Sequence, residues 1–95
     1  MTITQNKEGS KLNIAIEGRL DTITAPEFDA LITDMEGVTE AALDFEKLEY
    51  VSSAGLRVLL KANKKLSGNM TVTNVCETVM EVFKITGFAK ILKII

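Results

Sequence analysis

Ninety-five residues with no histidine, a single cysteine and a net charge of −2 leave few kinds of function open. The length fits one domain burying roughly 60–65% of its unfolded surface, enough for one core without a metal or disulfide. Without histidine the commonest general base and zinc ligand are gone, and lone Cys76 cannot form an internal disulfide, which points to a reducing cytosol.

The charge is unevenly spread. Residues 1–50 carry four bases against eleven acids, a charge of −7, and residues 51–95 carry seven bases against two acids, a charge of +5. A pI near 5.1 and few aromatics argue against a nucleic-acid partner. No basic stretch followed by an apolar run opens the chain, so no signal peptide is expected. No apolar run approaches the roughly 20 residues that span a bilayer, so no direct membrane insertion is expected.

In chain order, Leu12 to Gly18 alternates and predicts a strand, with Thr2 to Gln5 pairing to it across Lys7-Glu8-Gly9-Ser10. Thr24-Ala25-Pro26-Glu27 predicts a capping box with Thr24 as N-cap. Phe28, Leu31, Ile32 and Met35 then form one helix face, and Gly37 is expected to end that helix. Ala41 to Phe45 predicts a buried strand.

Leu56, Leu59, Leu60, Asn63 and Leu66 predict a second helix from Ser53 to Gly68, with Asn63 as a satisfied buried polar group. Met70 to Val75 predicts a third core strand, Val79, Val82 and Phe83 a third helix stopped by Gly87, and Ile91 to Ile95 a last strand. The expected fold is α/β, a mixed, largely parallel sheet with about three helices in the order ββαβαβαβ.

Several residues admit two readings. Ser52 or Ser53 at the start of the second helix is a plain N-cap or a modifiable hydroxyl. Asp21 and Thr22 form a turn in which the aspartate bonds its own backbone, or a loop that meets a partner. Arg57, Lys61, Lys64 and Lys65 recur along the second helix as a solvated face or a basic rim for an acidic partner surface. Cys76 is expected half-buried at a helix start, and Glu46 and Glu49 as loop charges rather than a catalytic dyad. No phosphate-cradling loop, metal-ligand spacing or nucleophile–base pair is visible, so neither an enzyme nor a bound cofactor is expected.

Three runs carry a resemblance across the whole chain. They are Glu17-Gly18-Arg19-Leu20-Asp21 followed by Thr24-Ala25-Pro26, then Tyr50-Val51-Ser52-Ser53-Ala54-Gly55-Leu56, then Val82-Phe83-Lys84-Ile85-Thr86-Gly87-Phe88. In these the sequence resembles a STAS domain of the bacterial anti-sigma factor antagonist type, here one domain over residues 1–95. The resemblance implies a phosphoacceptor at Ser53, with Ser52 the less favoured candidate. Ser52 stands where the family carries Asp, and Ala54 where it carries a second hydroxyl residue.

The implied partner is an anti-sigma factor, usually a serine kinase, whose phosphorylation of Ser53 blocks binding. The expected contact surface comprises Asp21, Thr22, Thr24, Ser52, Ser53, Ala54, Gly55, Arg57 and Lys61. The same resemblance leaves a second role open, as an accessory subunit of a membrane transporter or part of a larger signalling assembly. The protein is expected in the cytoplasm as a monomer or weak homodimer, its exposed first strand offering an edge for pairing.

Overall fold

The computed structural model describes residues 1–95. Strands β1 (Thr2–Glu8) and β2 (Lys11–Leu20) form an antiparallel hairpin. Helix α1 (Ala25–Asp34), strands β3 (Glu40–Asp44) and β4 (Leu48–Val51), helix α2 (Ser53–Lys65) and strand β5 (Met70–Thr73) come next. Helices α3 (Glu77–Thr86) and α4 (Phe88–Ile91) and the two-residue strand β6 (Lys93–Ile94) end the chain. The sheet runs β1-β2-β3-β5-β6, with β4 beside the distal part of β2, and every pairing except the β1–β2 hairpin is parallel. The expected mixed, largely parallel α/β sheet is what forms.

Alternation decides which face is buried. Leu12, Ile14 and Ile16 of β2, Ala41 and Leu43 of β3, and Met70 and Val72 of β5 enter one core with Phe28, Leu59 and Phe83 from the helices. Their neighbours Asn13, Ala15, Ala42, Asp44, Thr71 and Thr73 stay only half-buried. The helices therefore cover one face, and a polar, small-residue face is left open. No helix is long and apolar enough to cross a membrane.

Several boundaries differ from the sequence reading, each for a physical reason. The hairpin is tighter than expected, because β1 continues through Lys7 and Glu8 and turns over Gly9 and Ser10 alone. Helix α1 ends at Asp34, with Met35 already extended, and not at Gly37. The Lys65 ammonium meets the carbonyls of Ile32 and Thr33 at 2.8 and 3.0 Å, satisfying the helix end from a neighbouring element. Strand β4 and helix α4 have no counterpart in the sequence reading, and α4 takes Ile91 out of the expected last strand. Glu49 accordingly sits exposed in β4 rather than in a loop. Asn63 lies on the inner side of α2 as expected, but its Oδ1 is buried without a hydrogen-bond partner, so the satisfied reading fails.

Candidate functional site

The site begins with a break in β2. Its first half pairs with β3 and its second half with β4, and the register shifts between Gly18 and Arg19. Gly18 has φ +91, a region that L side chains rarely enter, and its N–H bonds the Lys47 carbonyl at 2.9 Å. Such a bulge bends the strand and re-aims the residues beyond it. Arg19, Leu20 and Asp21 are thereby carried to the start of α2.

Two backbone contacts fasten the strand end to that helix. The Ser52 N–H donates to the Leu20 carbonyl at 2.9 Å. Gly55 then comes so close that a Cβ there would stand 2.8 Å from both the Leu20 carbonyl oxygen and Leu20 Cγ, and 2.9 Å from Val51 Cγ2. The glycine is required for approach, not for φ.

The turn after β2 is built on Asp21. Its Oδ1 accepts from the Ile23 N–H at 3.0 Å and the Thr24 N–H at 3.1 Å, an N-cap pattern placed before α1. Thr24 is therefore not the cap. Its backbone is already helical, and its hydroxyl makes no cap bond. That hydroxyl turns back, donating to the Arg19 carbonyl at 2.7 Å and accepting from the Asp21 N–H at 2.9 Å. Asp21 Oδ2 also pairs with Arg19 Nε at 3.5 Å, and the Arg19 guanidinium lies 4.4 Å above the centre of the Tyr50 ring.

The Thr24 amide is the largest influence holding Asp21 below its ordinary pKa of 3.8; burial, the next largest, opposes it, and the Ile23 amide, the Thr24 hydroxyl and Arg19 add to the lowering. A lowered folded pKa means that the carboxylate's stabilisation is complete above 3.8 and fades as pH falls through the folded value. Amide exchange at Ile23 and Thr24, followed by NMR and taken relative to the intrinsic rate at each pH, should therefore quicken below that range. Asp21→Ala should quicken it at neutral pH, whereas Asp21→Asn, which keeps an acceptor oxygen, should largely preserve protection. An asparagine variant as fast as the alanine variant would contradict the acceptor role.

At the other side of the seam, Ser52 is the N-cap of α2. It is extended at φ −98 and ψ 176, and its hydroxyl accepts a long 3.5 Å bond from the Gly55 N–H. Ser53 is the first residue of the helix and is exposed. The two serines thus divide the roles: one caps, and the other faces solvent at the positive end of a thirteen-residue helix. Arg57 stands at i+4 from Ser53, exposed on the same helix face.

The structure brings together Asp21, Thr22 and Thr24 in one turn and Ser52, Ser53, Ala54 and Gly55 in the adjoining helix start. Thr22 and Ser53 are exposed, Thr24 is committed to its turn, and Gly55 is buried. Lys61 is set apart. Its ammonium is held by Asp29 of α1 at 2.6 Å and by the Thr33 hydroxyl at 2.9 Å, and Lys65 is likewise bound to α1. The basic rim is thus reduced at this end to Arg57. A groove of about 290 Å3 lined by Asp29, Ala54, Arg57, Val58 and Lys61 separates the two helices there.

Sequence reasoning missed Arg19, Tyr50 and Ile23 as parts of this site. Ile23 projects from the turn at 88% exposure. The Arg19–Tyr50 stack depends on β4, which sets the two side by side and which periodicity does not mark.

The fold and site together define a one-sided α/β domain, with an exposed serine on a helix start packed against a hydrogen-bonded turn. The chain belongs to the STAS domain family, which it matches over residues 2–95. It is 32% identical over 96 residues to BtrV of Bordetella bronchiseptica, named as an anti-sigma factor antagonist, covering 96% of this chain and 83% of that one. It is 26% identical over 98 residues to the anti-sigma-B factor antagonist of Staphylococcus aureus, covering 98% of this chain and 88% of that one. Among solved structures it shares the fold of the phosphorylated form of SpoIIAA, the Bacillus cell fate determinant, with a TM-score of 0.76 and 21% identity over 99% of this chain and 91% of that one.

Proposed function

We propose that this chain is an anti-sigma factor antagonist, one STAS domain that binds an anti-sigma factor through the surface around Ser53 and is switched off when that partner, a serine kinase, phosphorylates Ser53. The observation that carries this reading is the exposed Ser53 hydroxyl on the first residue of α2, with capping already performed by Ser52. The names of the relatives support the partner class, and SpoIIAA in its phosphorylated form is a protein of this fold that carries such a modification.

The chemistry follows from the placement. The first turn of a helix has free N–H groups and a favourable dipole for an anion, so the fold tolerates a phosphate there. The phosphate adds about −1.5 to −2 charge. Arg57, one turn along the same face, is positioned to pair with it. Modification thus places negative charge on the contact surface and also withdraws from it the one basic group left free near the helix start. This chain supplies the hydroxyl and the surface, and the phosphoryl transfer belongs to the partner.

The reading is tested by pull-down of the unmodified protein from its source cell, with mass spectrometry of what is retained. An anti-sigma factor with a kinase domain is the expected catch. Recovery of a permease with its ATPase instead would assign the chain to the transporter role.

A further inference from the structure

We propose that β1 is a self-association edge, and that two copies of this chain pair through it as an antiparallel, twofold dimer. Strand β1 is seven residues long, exposed except at Ile3, and in unbroken register with β2 from Thr2 to Glu8. Its outer row of N–H and C=O groups has no partner in the sheet, because β1 is the terminal strand. Proteins usually guard such an edge with proline, a bulge, inward charges or extreme shortness. The opposite edge, β6, is only two residues long. β1 has no proline, bulge or extreme shortness, and its one inward charge, Lys7, lies at the strand end beside Glu8 with its ammonium held by the Glu36 carbonyl at 3.0 Å, which leaves Thr2 to Asn6 uncharged.

The strand is also self-complementary. A twofold axis perpendicular to the sheet keeps every residue on its own face, so opposed residues must share parity and the axis must pass through one residue pair. Centring it on Gln5 is the choice that pairs all seven residues. Thr2 then opposes Glu8, Ile3 opposes Lys7, and Thr4 opposes Asn6. No like charges meet, and polar pairs occupy the open face.

On the helix side, β1 and α1 flank a groove of about 350 Å3 whose apolar lining includes Leu31, Met35 and Val38. These are only partly buried. A second copy brings its own Ile3 over the stem of Lys7 beside that groove, and it fills all seven positions of the register with no like-charge contact, which favours a second copy as the occupant. The dimer leaves the Ser53 surface free. Ser53 comes directly after β4, and β4 pairs with the side of β2 away from β1. The two copies then present their Ser53 surfaces at opposite ends of a continuous sheet.

The test uses sedimentation equilibrium of the full chain and two variants that place charges on the exposed Thr4–Asn6 pair. The wild type should move from 10.4 kDa towards twice that mass as concentration rises, over about 10 μM to about 1 mM for so small an interface. Thr4→Lys with Asn6→Lys sets lysine opposite lysine twice and should weaken the dimer about tenfold or more. Thr4→Glu with Asn6→Lys sets opposite charges in the same register and should tighten it by a similar factor, with the gain lost in high salt. Far-UV circular dichroism checks that both variants fold. A wild type that stays at 10.4 kDa throughout, or a dimer that both variants form equally well, overturns the proposal.

Discussion

Gly55→Ala is expected to unfold the protein roughly 15 °C below the wild type, a loss of about 3 kcal/mol. In most helices that exchange stabilises. Here the new methyl would sit 2.8 Å from the Leu20 carbonyl oxygen, a backbone atom already fixed by the Ser52 N–H at 2.9 Å. Relief requires α2 to withdraw from the end of β2, which breaks that bond and opens the Leu20–Val51 contact in the core. The withdrawal would also separate the Asp21 turn from Ser53. Thermal unfolding measures the effect, and a melting temperature within about 3 °C of the wild type would show that the seam is not close-packed.

Ser53→Asp should leave the melting temperature nearly unchanged and reduce affinity for the anti-sigma factor about 100-fold or more. An acidic group in the first turn of a helix suits the dipole and contributes a few tenths of a kcal/mol to stability. The same charge opposed to a surface that fits a neutral serine costs several kcal/mol in binding, and every 1.4 kcal/mol is tenfold. Ser53→Ala should bind like the wild type and resist the switch. Titration calorimetry against the purified partner separates these outcomes. Equal loss in both variants would mean that the hydroxyl is needed for contact and not for modification.

Much of this is legible in the sequence because it rests on short-range signals. The alternation in Leu12 to Ile16, the β-branched run from Met70, and Gly87 as a left-handed helix stop all act within a few residues and reappear in the structure. The features that escape depend on groups far apart in the chain. Lys61 reads as a surface charge until Asp29, 32 residues away, is placed beside it. Thr24 reads as a cap until the Asp21 carboxylate is seen to hold the preceding amides. Strand β4 is four residues long, too short for periodicity to mark, yet it aligns Arg19 with Tyr50 and leads directly into the serines. The helix start itself is readable in Ser52 and Ser53, but which serine caps and which is exposed requires the backbone.

The claim that Ser53 is the switch is tested most directly by incubating the protein with its partner kinase and ATP, then measuring intact mass and mapping the modified peptide. The expected result is the gain of one phosphoryl group, located on Ser53, with release of the partner. No gain in mass, or a phosphate mapped to Ser52 or to any residue outside the start of α2, would contradict it.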